Sequence, residues 1–164
     1  MTDAFLPKKD GYVIAVVGAT GAVGQTILEI LAEGNFPVAE LIPVASSRSA
    51  GSAVTYKKKE YIVQDLETFD PSGVDIALFS AGGDTSKEHA PRFTAAGCYV
   101  VDNSSAWRMD ENICLVVPEV NPHALEMARE NKIIANPNCS TIQLVVALKP
   151  LHDAVPIERG VVST

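Results

Sequence analysis

The amino-acid sequence predicts an α/β protein in which a mostly parallel sheet carries helices on both faces. Short apolar runs rich in β-branched residues alternate with amphipathic segments of helical period along the 164 residues. A glycine-rich turn joins the first run to the first amphipathic segment, and the composition, 47% apolar and 20% charged, is that of a folded globular domain. Strands and helices that alternate at this spacing form βαβ units with right-handed crossovers, and such units build parallel sheets.

The first half of the chain predicts three strands of this sheet and one helix. Tyr12–Val17 is continuously apolar, which is typical of a strand buried on both faces. Residues 25–33 contain apolar side chains at helical spacing and are followed by Gly34, which is expected to end the helix. Two further strands are expected over residues 40–45 and 74–79. Residues 56–66, with alternating polarity, predict one or two exposed strands.

The second half of the chain continues the alternation of strands and helices. A helix is expected from about Ser86 to Ala96, because Thr85 and Glu88 have capping-box spacing, and Pro91 should kink it. Further strands are expected over residues 99–102, 113–117 and 132–135, with a helix over 122–129. The last residues, 161–164, form a strand-like run without a polar tail, so we expect the chain to be truncated there.

Charge and cysteine content exclude several classes of function. The net charge of −7 argues against a nucleic-acid surface, which needs clustered basic residues, and the basic run 57–59 is expected on an exposed strand or turn. The N-terminus lacks the apolar region of a signal peptide, and no stretch is long enough for a membrane span. Three cysteines without a CxxC pair predict neither a metal site nor a disulfide framework, so we expect a cytoplasmic protein.

The glycines at 18, 21 and 24 stand between the first strand and the first helix, and another strand follows about twenty residues later. Gly18 permits the tight turn, Gly21 lets the backbone approach a phosphate, and Gly24 allows close packing of helix on strand. The free N–H groups at the start of that helix favour an anionic pyrophosphate. The sequence therefore predicts a Rossmann-type dinucleotide site.

The end of the second strand indicates which dinucleotide binds. NAD-binding proteins tend to place a carboxylate there, whereas this chain has Ser47, Arg48 and Ser49. A guanidinium flanked by hydroxyls suits the 2′-phosphate of NADP, because it can form charge-assisted, bidentate hydrogen bonds. The alternative is an ordinary solvent-exposed arginine in a loop. NADP is the cofactor that this pattern favours.

Cys139 lies in the run NPNCST, at the N-terminal end of an apolar segment, residues 142–148, that predicts a buried helix. A helix N-terminus favours the thiolate form of a cysteine, and a thiolate can attack an acyl phosphate or an aldehyde. The alternative is that Cys139 is a small buried apolar residue, and its position alone leaves both interpretations open. Cys98 and Cys114, in apolar strands, are expected to serve packing only.

Six stretches of the chain together resemble aspartate-β-semialdehyde dehydrogenase. They occur in family order at residues 18–24 (GATGAVG), 46–51 (SSRSAG), 77–82 (ALFSAG), 101–108 (VDNSSAWR), 117–121 (VPEVN) and 136–143 (NPNCSTIQ). The resemblance implies a polar leader (1–11), an NADP-binding domain (12–138) and the beginning of a second, α+β catalytic and dimerisation domain (139–164). It also implies a cytoplasmic homodimer or homotetramer.

The resemblance assigns roles to individual residues. Cys139 becomes the nucleophile that carries the acyl group, Asn138 a helper at the nicotinamide or the oxyanion, and Arg108 the ligand of the substrate phosphoryl group. The implied cofactor site comprises Gly18, Thr20, Gly21, Ala22, Val23, Gly24, Ser46, Arg48, Ser49, Ser80, Ala81 and Gly82. The family reduces β-aspartyl phosphate with NADPH to aspartate semialdehyde and phosphate, in the biosynthesis of lysine (through diaminopimelate), methionine and threonine.

One feature of the family is missing. Its acid–base histidine lies further along than Thr164, and His89, His123 and His152 do not match it, so they are expected to be surface or packing residues. We therefore expect the chain alone to be inactive as a dehydrogenase.

Three other classes of protein remain as alternatives. N-acetyl-γ-glutamyl-phosphate reductase uses similar thioester chemistry, but its cysteine lies in a Gly-Cys-Tyr-Pro setting rather than Asn-Cys-Ser-Thr. An extended short-chain reductase requires a Tyr-x-x-x-Lys pair, which this sequence lacks. A non-catalytic module that binds NADP and acts as a sensor also stays open.

Overall fold

The computed structural model describes residues 6–163, which form a seven-stranded parallel sheet with flanking helices and a separate two-stranded hairpin. Residues 1–5 of the predicted leader and Thr164 lie outside the described residues. The elements are β1 (Tyr12–Val17), α1 (Ala22–Glu33), β2 (Val38–Ala45), β3 (Ala53–Tyr56), β4 (Lys59–Ile62), β5 (Gln64–Asp65), β6 (Ile76–Phe79), α2 (Gly83–Ala95), β7 (Tyr99–Asp102), β8 (Cys114–Leu115), a 3-10 helix (Pro122–Met127), α3 (Ala128–Asn131), β9 (Ile133–Ala135) and α4 (Cys139–Ala154).

The strand order of the large sheet is β5-β2-β1-β6-β7-β9-β8, and all neighbouring pairs are parallel. The chain runs from β1 outward to β2 and β5, and then returns to the other side of β1 with β6. The strand order therefore reverses between β1 and β6, and open α/β sheets bind ligands at the carboxyl ends of strands at such a point. The predicted α/β class is confirmed.

The central strand β1 supplies side chains to two hydrophobic cores. Ala15 and Val17 pack with Phe79 and Phe93 on the face covered by α2, whereas Ile14 and Val16 pack on the face covered by α1 and the hairpin. Successive side chains of a strand point to opposite faces, and residues 14–17 are at most 1% exposed. The prediction of a strand buried on both faces is therefore confirmed for these residues.

The predicted start of α2 is wrong. The helix begins at Gly83 rather than Ser86, and its N-cap, Gly82, has φ +91° and no side-chain cap, so Thr85 and Glu88 form no capping box. The glycine tolerates this left-handed backbone, which lets the helix start soon after β6. Pro91 lies inside the helix, which continues to Ala95. The carbonyl four residues before it belongs to the exposed Lys87, where solvent can replace the lost hydrogen bond.

The prediction of one or two strands over residues 56–66 is confirmed by β4, which forms a hairpin with β3, and by the short strand β5. Lys57 and Lys58 occupy the hairpin turn with φ of 46° and 64°, as expected of the basic run. The predicted exposure is wrong for Tyr56, Val63 and Leu66, since Tyr56 and Val63 are buried in the core beneath α1 and Leu66 is buried in the core on the other face of the sheet.

Three further predictions need correction. The expected helix over 122–129 is a 3-10 helix followed by α3, and residues 156–163 have no regular structure where a strand-like run was expected at the end. The helix after Cys139 is confirmed and longer than predicted, but none of its residues is buried; Leu144 and Leu151 are 37% and 61% exposed. Its apolar surface has no covering element among residues 6–163. No helix in that range is long and apolar enough to cross a membrane.

Candidate functional site

A cavity of about 280 Å³ opens at the carboxyl ends of β1, β2 and β6, where the strand order reverses. Most of the predicted cofactor residues line it: Gly18, Thr20, Gly21, Ser46, Arg48, Ser49, Ser80 and Ala81. Ala22, Val23 and Gly24 form the first turn of α1 and Gly82 is the N-cap of α2, and none of the four is on its wall. Leu66, Glu67, Thr85, Glu88 and His89 complete the wall, and they carry no sequence signal for a site because they come from a loop beyond a two-residue strand and from a helix interior.

Two of the three glycines are required by the fold itself. Gly18 has φ +88°, and a Cβ there would lie 2.5 Å from the carbonyl oxygen of Ser80. A Cβ on Gly24 would lie 2.1 Å from the carbonyl oxygen of Gly18. A Cβ on Gly21 would meet nothing nearer than 3.4 Å, so the protein leaves space in front of this residue. The loop thus has the form of a cradle that a phosphate fits.

The N-terminus of α1 adds electrostatic attraction for an anion. Its N-cap is Gly21, which offers no side-chain cap, and the first turn contains no acidic residue. The first backbone N–H groups of a helix lack intrahelical acceptors, and the helix dipole is positive at this end. The residues present therefore fit the pyrophosphate of a dinucleotide.

The loop after β2 holds Arg48 at the opposite wall of the cavity. The loop is a helical turn, closed by a hydrogen bond from Ser49 N–H to Ser46 C=O at 2.8 Å and by Ser47 Oγ donating to Asp65 Oδ1 at 2.9 Å. Among residues 6–163, Arg48 forms no ion pair with a carboxylate. Its exposed guanidinium is thus free to bind an anionic group of a ligand.

Cys139 is the first residue of α4 and is exposed, whereas Cys98 and Cys114 are buried. Asn138 is the N-cap: its Oδ1 accepts hydrogen bonds from Ser140 N–H at 3.0 Å and Thr141 N–H at 3.3 Å. Burial raises the pKa of Cys98 to about 12 and also raises the pKa of Cys114. Of the three thiols, only Cys139 is accessible to a substrate.

Arg108 connects the end of β7 to the segment that carries Cys139. Its Nε donates to Asn136 C=O at 2.9 Å, and its Nη2 donates to Asn103 C=O at 3.1 Å. Asn136 Nδ2 also donates to Asn103 Oδ1 at 2.7 Å. These two asparagines line a second, mainly apolar cavity of about 330 Å³ together with Val23 of α1. The glycine loop and the cysteine segment therefore both lie at the carboxyl ends of the strands of this sheet.

Comparison with known proteins identifies the family of this chain. Residues 13–128 match the family model described as "Semialdehyde dehydrogenase, NAD binding domain". The chain belongs to this family. Family membership agrees with the glycine cradle and with the sheet topology around it.

Relatives with known names extend the comparison. The aspartate-semialdehyde dehydrogenase of Aquifex aeolicus is 59% identical over 155 residues, which are 94% of this chain and 46% of that protein. The crystal structure of aspartate semialdehyde dehydrogenase II from Vibrio cholerae, complexed with ASA, superposes with a TM-score of 0.88 at 56% identity and covers 91% of this chain and 49% of that one. The enzyme from Candida albicans, solved with NADP, gives a TM-score of 0.76 at 27% identity, over 90% of this chain and 48% of that one. The chain thus spans about half the length of the relatives it matches.

Proposed function

We propose that the chain is the cofactor-binding and nucleophile-bearing part of an NADP-dependent aspartate-semialdehyde dehydrogenase. The observation that carries this proposal is the presence, at one edge of one sheet, of a cradle for a dinucleotide and an exposed cysteine at a helix N-terminus. The names of the Aquifex aeolicus and Vibrio cholerae relatives support aspartate semialdehyde as the aldehyde, and we infer β-aspartyl phosphate as the acyl phosphate from which it forms. We infer that the cofactor domain covers residues 12–138 and that the catalytic and dimerisation domain begins at 139, which agrees with the uncovered surface of α4.

NADP is the proposed cofactor, and its reduced form, NADPH, would supply a hydride. The glycine cradle would hold the pyrophosphate, and Arg48 with Ser49 would hold the 2′-phosphate through charge-assisted hydrogen bonds. The NADP bound to the Candida albicans enzyme supports this choice. Ser80 and Ala81, at the end of β6, would form the opposite wall.

The proposed chemistry starts at Sγ of Cys139. The thiolate attacks the carbonyl carbon of the acyl phosphate, the bond between that carbon and the phosphate oxygen breaks, and phosphate leaves. A bound NADPH would supply the hydride that converts the resulting thioester to the oxyanion of a thiohemiacetal, and cleavage of its carbon–sulfur bond would release the aldehyde and the Cys139 thiolate. The Nδ2 amide of Asn138 remains available to donate to the developing oxyanion, because its helix cap uses only Oδ1.

Arg108 is the proposed ligand of the phosphoryl group. The guanidinium has five N–H donors, and hydrogen bonds to Asn103 and Asn136 use two of them. The remaining N–H donors can bind the leaving phosphate, while the two hydrogen bonds to Asn103 and Asn136 hold the guanidinium in place.

The chain alone is expected to show little or no turnover. The acid–base histidine of the family has no match here, and His152 lies thirteen residues after Cys139 on the same helix, a rise of roughly 20 Å. We infer that the complete enzyme acts as a cytoplasmic homodimer or homotetramer in the biosynthesis of lysine, methionine and threonine.

The nucleophile can be tested without turnover. The chain is incubated with β-aspartyl phosphate and analysed by intact-mass and peptide mass spectrometry. We expect an aspartyl adduct on Cys139, and none in Cys139→Ser. Binding of NADP without any adduct would favour the sensor module, and an adduct formed only from N-acetyl-γ-glutamyl phosphate would favour the related reductase.

The cofactor can be tested by titration with NADP and NAD. We expect Arg48→Ala to lower the affinity for NADP by about 10-fold or more and to leave the affinity for NAD nearly unchanged, since only NADP has the 2′-phosphate. The control is Arg159→Ala, which changes an exposed arginine outside the regular structure. Equal losses for both dinucleotides would contradict the assignment of Arg48.

A further inference from the structure

His89 is a buried side chain on the wall of the dinucleotide cavity, to which the proposed mechanism gives no role. It lies on α2, is only 6% exposed, and shares the cavity with Gly18 and Arg48. Glu67, which follows β5, stands beside it on the same wall. His89 and Glu67 therefore place two polar, titratable side chains together at this corner of the cavity.

Arg92 determines which ring nitrogen of His89 carries the proton. The two terminal nitrogens of Arg92 donate to backbone carbonyls, Nη1 to Phe69 at 2.5 Å and Nη2 to Leu66. Its Nε donates to His89 Nδ1 at 3.2 Å. Since Nδ1 accepts this hydrogen bond, the ring nitrogen of His89 that carries an N–H donor is Nε2.

The Nε2–H group of His89 has no hydrogen-bond acceptor among residues 6–163. The nearest carboxylate oxygens are Glu67 Oε1 at 3.6 Å and Glu88 Oε2 at 3.9 Å, and both distances exceed those of a hydrogen bond. The fully buried side-chain atoms without a partner among the described residues are Tyr56 Oη and Asp102 Oδ1, so the unpaired Nε2 of His89 keeps exposed surface on the cavity wall. The group is thus available to an acceptor of a ligand in the cavity.

A metal ion does not fit this corner, although ligand atoms of Glu67, Glu88 and His89 lie within 4.8 Å of one another. A metal at Nε2 would need the lone pair there and would move the proton to Nδ1. The protonated Nδ1 would then face the Nε–H of Arg92 and could no longer accept its hydrogen bond. The corner offers a donor, His89 Nε2–H, beside an acceptor, the Glu67 carboxylate.

We propose that His89 and Glu67 recognise the adenine base of the dinucleotide. Adenine presents a ring-nitrogen acceptor beside the donor N6 amino group, the complement of this pair. The order of the strands supports an adenine site at Glu67. The glycine cradle follows β1, the Arg48 loop follows β2, and Glu67 follows β5, the next strand outward. A dinucleotide whose pyrophosphate lies in the glycine cradle and whose adenosine ribose lies at the Arg48 loop would place its adenine base beside Glu67. This inference rests on the proposed binding of NADP.

The test compares NADP with its hypoxanthine analogue, in which an oxygen acceptor replaces the amino donor. We expect the wild-type chain to bind NADP about 5-fold or more tightly than the analogue, because the analogue places an acceptor against the Glu67 carboxylate. Glu67→Gln should narrow that difference, since the amide can donate to the oxygen. Equal affinities of the wild type for the two dinucleotides would overturn the inference.

Variants of His89 test the donor directly. We expect His89→Leu to weaken NADP binding by about 5-fold and His89→Gln, whose amide can donate from a similar position, to retain most of it. His123→Leu, on an exposed histidine, is the control, and thermal melting of each variant checks the fold. If folded His89→Leu binds NADP as tightly as the wild type, the adenine site is wrong. If the wild-type chain does not bind NADP, the proposed cofactor function itself fails.

Discussion

Arg108 Nε donates a hydrogen bond to the backbone carbonyl of Asn136 at 2.9 Å, and Asn136 lies three residues before Cys139. The residue proposed to bind the phosphoryl group therefore also holds the segment that presents the nucleophile. A second hydrogen bond, to Asn103 C=O, connects the same guanidinium to the end of β7. Substitution of Arg108 should thus affect both the binding of the phosphoryl group and the position of Cys139.

Arg108→Met is expected to destabilise the chain by about 2 kcal/mol, because two partly buried carbonyl groups lose a charged donor. Urea unfolding measures this change. Arg159→Met, on an exposed arginine outside the regular structure, should leave the free energy of unfolding within about 0.5 kcal/mol. Equal effects of the two substitutions would show that the hydrogen bonds of Arg108 contribute nothing to stability.

Gly24→Ala should mainly reduce stability, whereas Gly21→Ala should mainly reduce binding of NADP. At Gly24 an added Cβ lies 2.1 Å from Gly18 O, so we expect a loss of more than about 2 kcal/mol in unfolding free energy. At Gly21 the nearest atom is 3.4 Å away, and the expected loss is only about 0.5–1 kcal/mol from a poorer helix cap. Gly21→Ala should nevertheless weaken NADP binding about 10-fold by occupying the phosphate cradle. A stable variant with unchanged affinity would argue against that use of Gly21.

Alkylation should be selective among the three thiols. Cys139 is exposed, whereas burial raises the pKa of Cys98 to about 12 and also raises that of Cys114, so both remain protonated at neutral pH. Peptide mass spectrometry after brief treatment with iodoacetamide should find the label on Cys139 alone. Treatment in denaturant is the control and should label all three. Native labelling of Cys98 at the rate of Cys139 would contradict the buried position of β7 and its preceding turn.

The ion pair between Asp75 and Lys9 should make stability depend on pH in acid. Partial burial alone would raise the pKa of Asp75, but Lys9 Nζ at 2.5 Å and Val13 N–H at 3.0 Å lower it below its ordinary value of 3.8. The unfolded chain then binds a proton more readily, so this stabilisation is present above about pH 4 and is lost as pH falls through the folded pKa.

Asp75→Asn should therefore reduce the free energy of unfolding at neutral pH, and the difference from the wild type should shrink toward about pH 3. Urea unfolding at the two pH values measures it. Asp10→Asn, on a neighbouring exposed carboxylate, is the control and should change little at either pH. A difference of the same size at both values would mean that the charge of Asp75 does not contribute.

Local patterns were enough to predict the main elements and part of the site. The apolar run of β1, the helical period after it and the glycines at 18 and 24 each depend on residues close together in the chain, so periodicity and steric limits reveal them. The same holds for Cys139, since a helix start is recognisable from Asn138 and the apolar run that follows. The start of α2 was predicted wrongly because the spacing of Thr85 and Glu88 suggested a capping box, whereas the helix begins after Gly82, which has a positive φ.

Contacts between residues distant in sequence depended on the folded chain. Arg108 donates a hydrogen bond to Asn136, 28 residues later in the sequence, and Arg92 donates one to Leu66, 26 residues earlier. No local sequence pattern predicts either contact. The sequence therefore showed a histidine in a helix, and the packing of α2 against the segment after β5 brought its side chain next to Glu67. The physical reason is that backbone propensity and hydrophobic period act over a few residues, whereas the partner of a polar side chain depends on which strands become neighbours in the sheet.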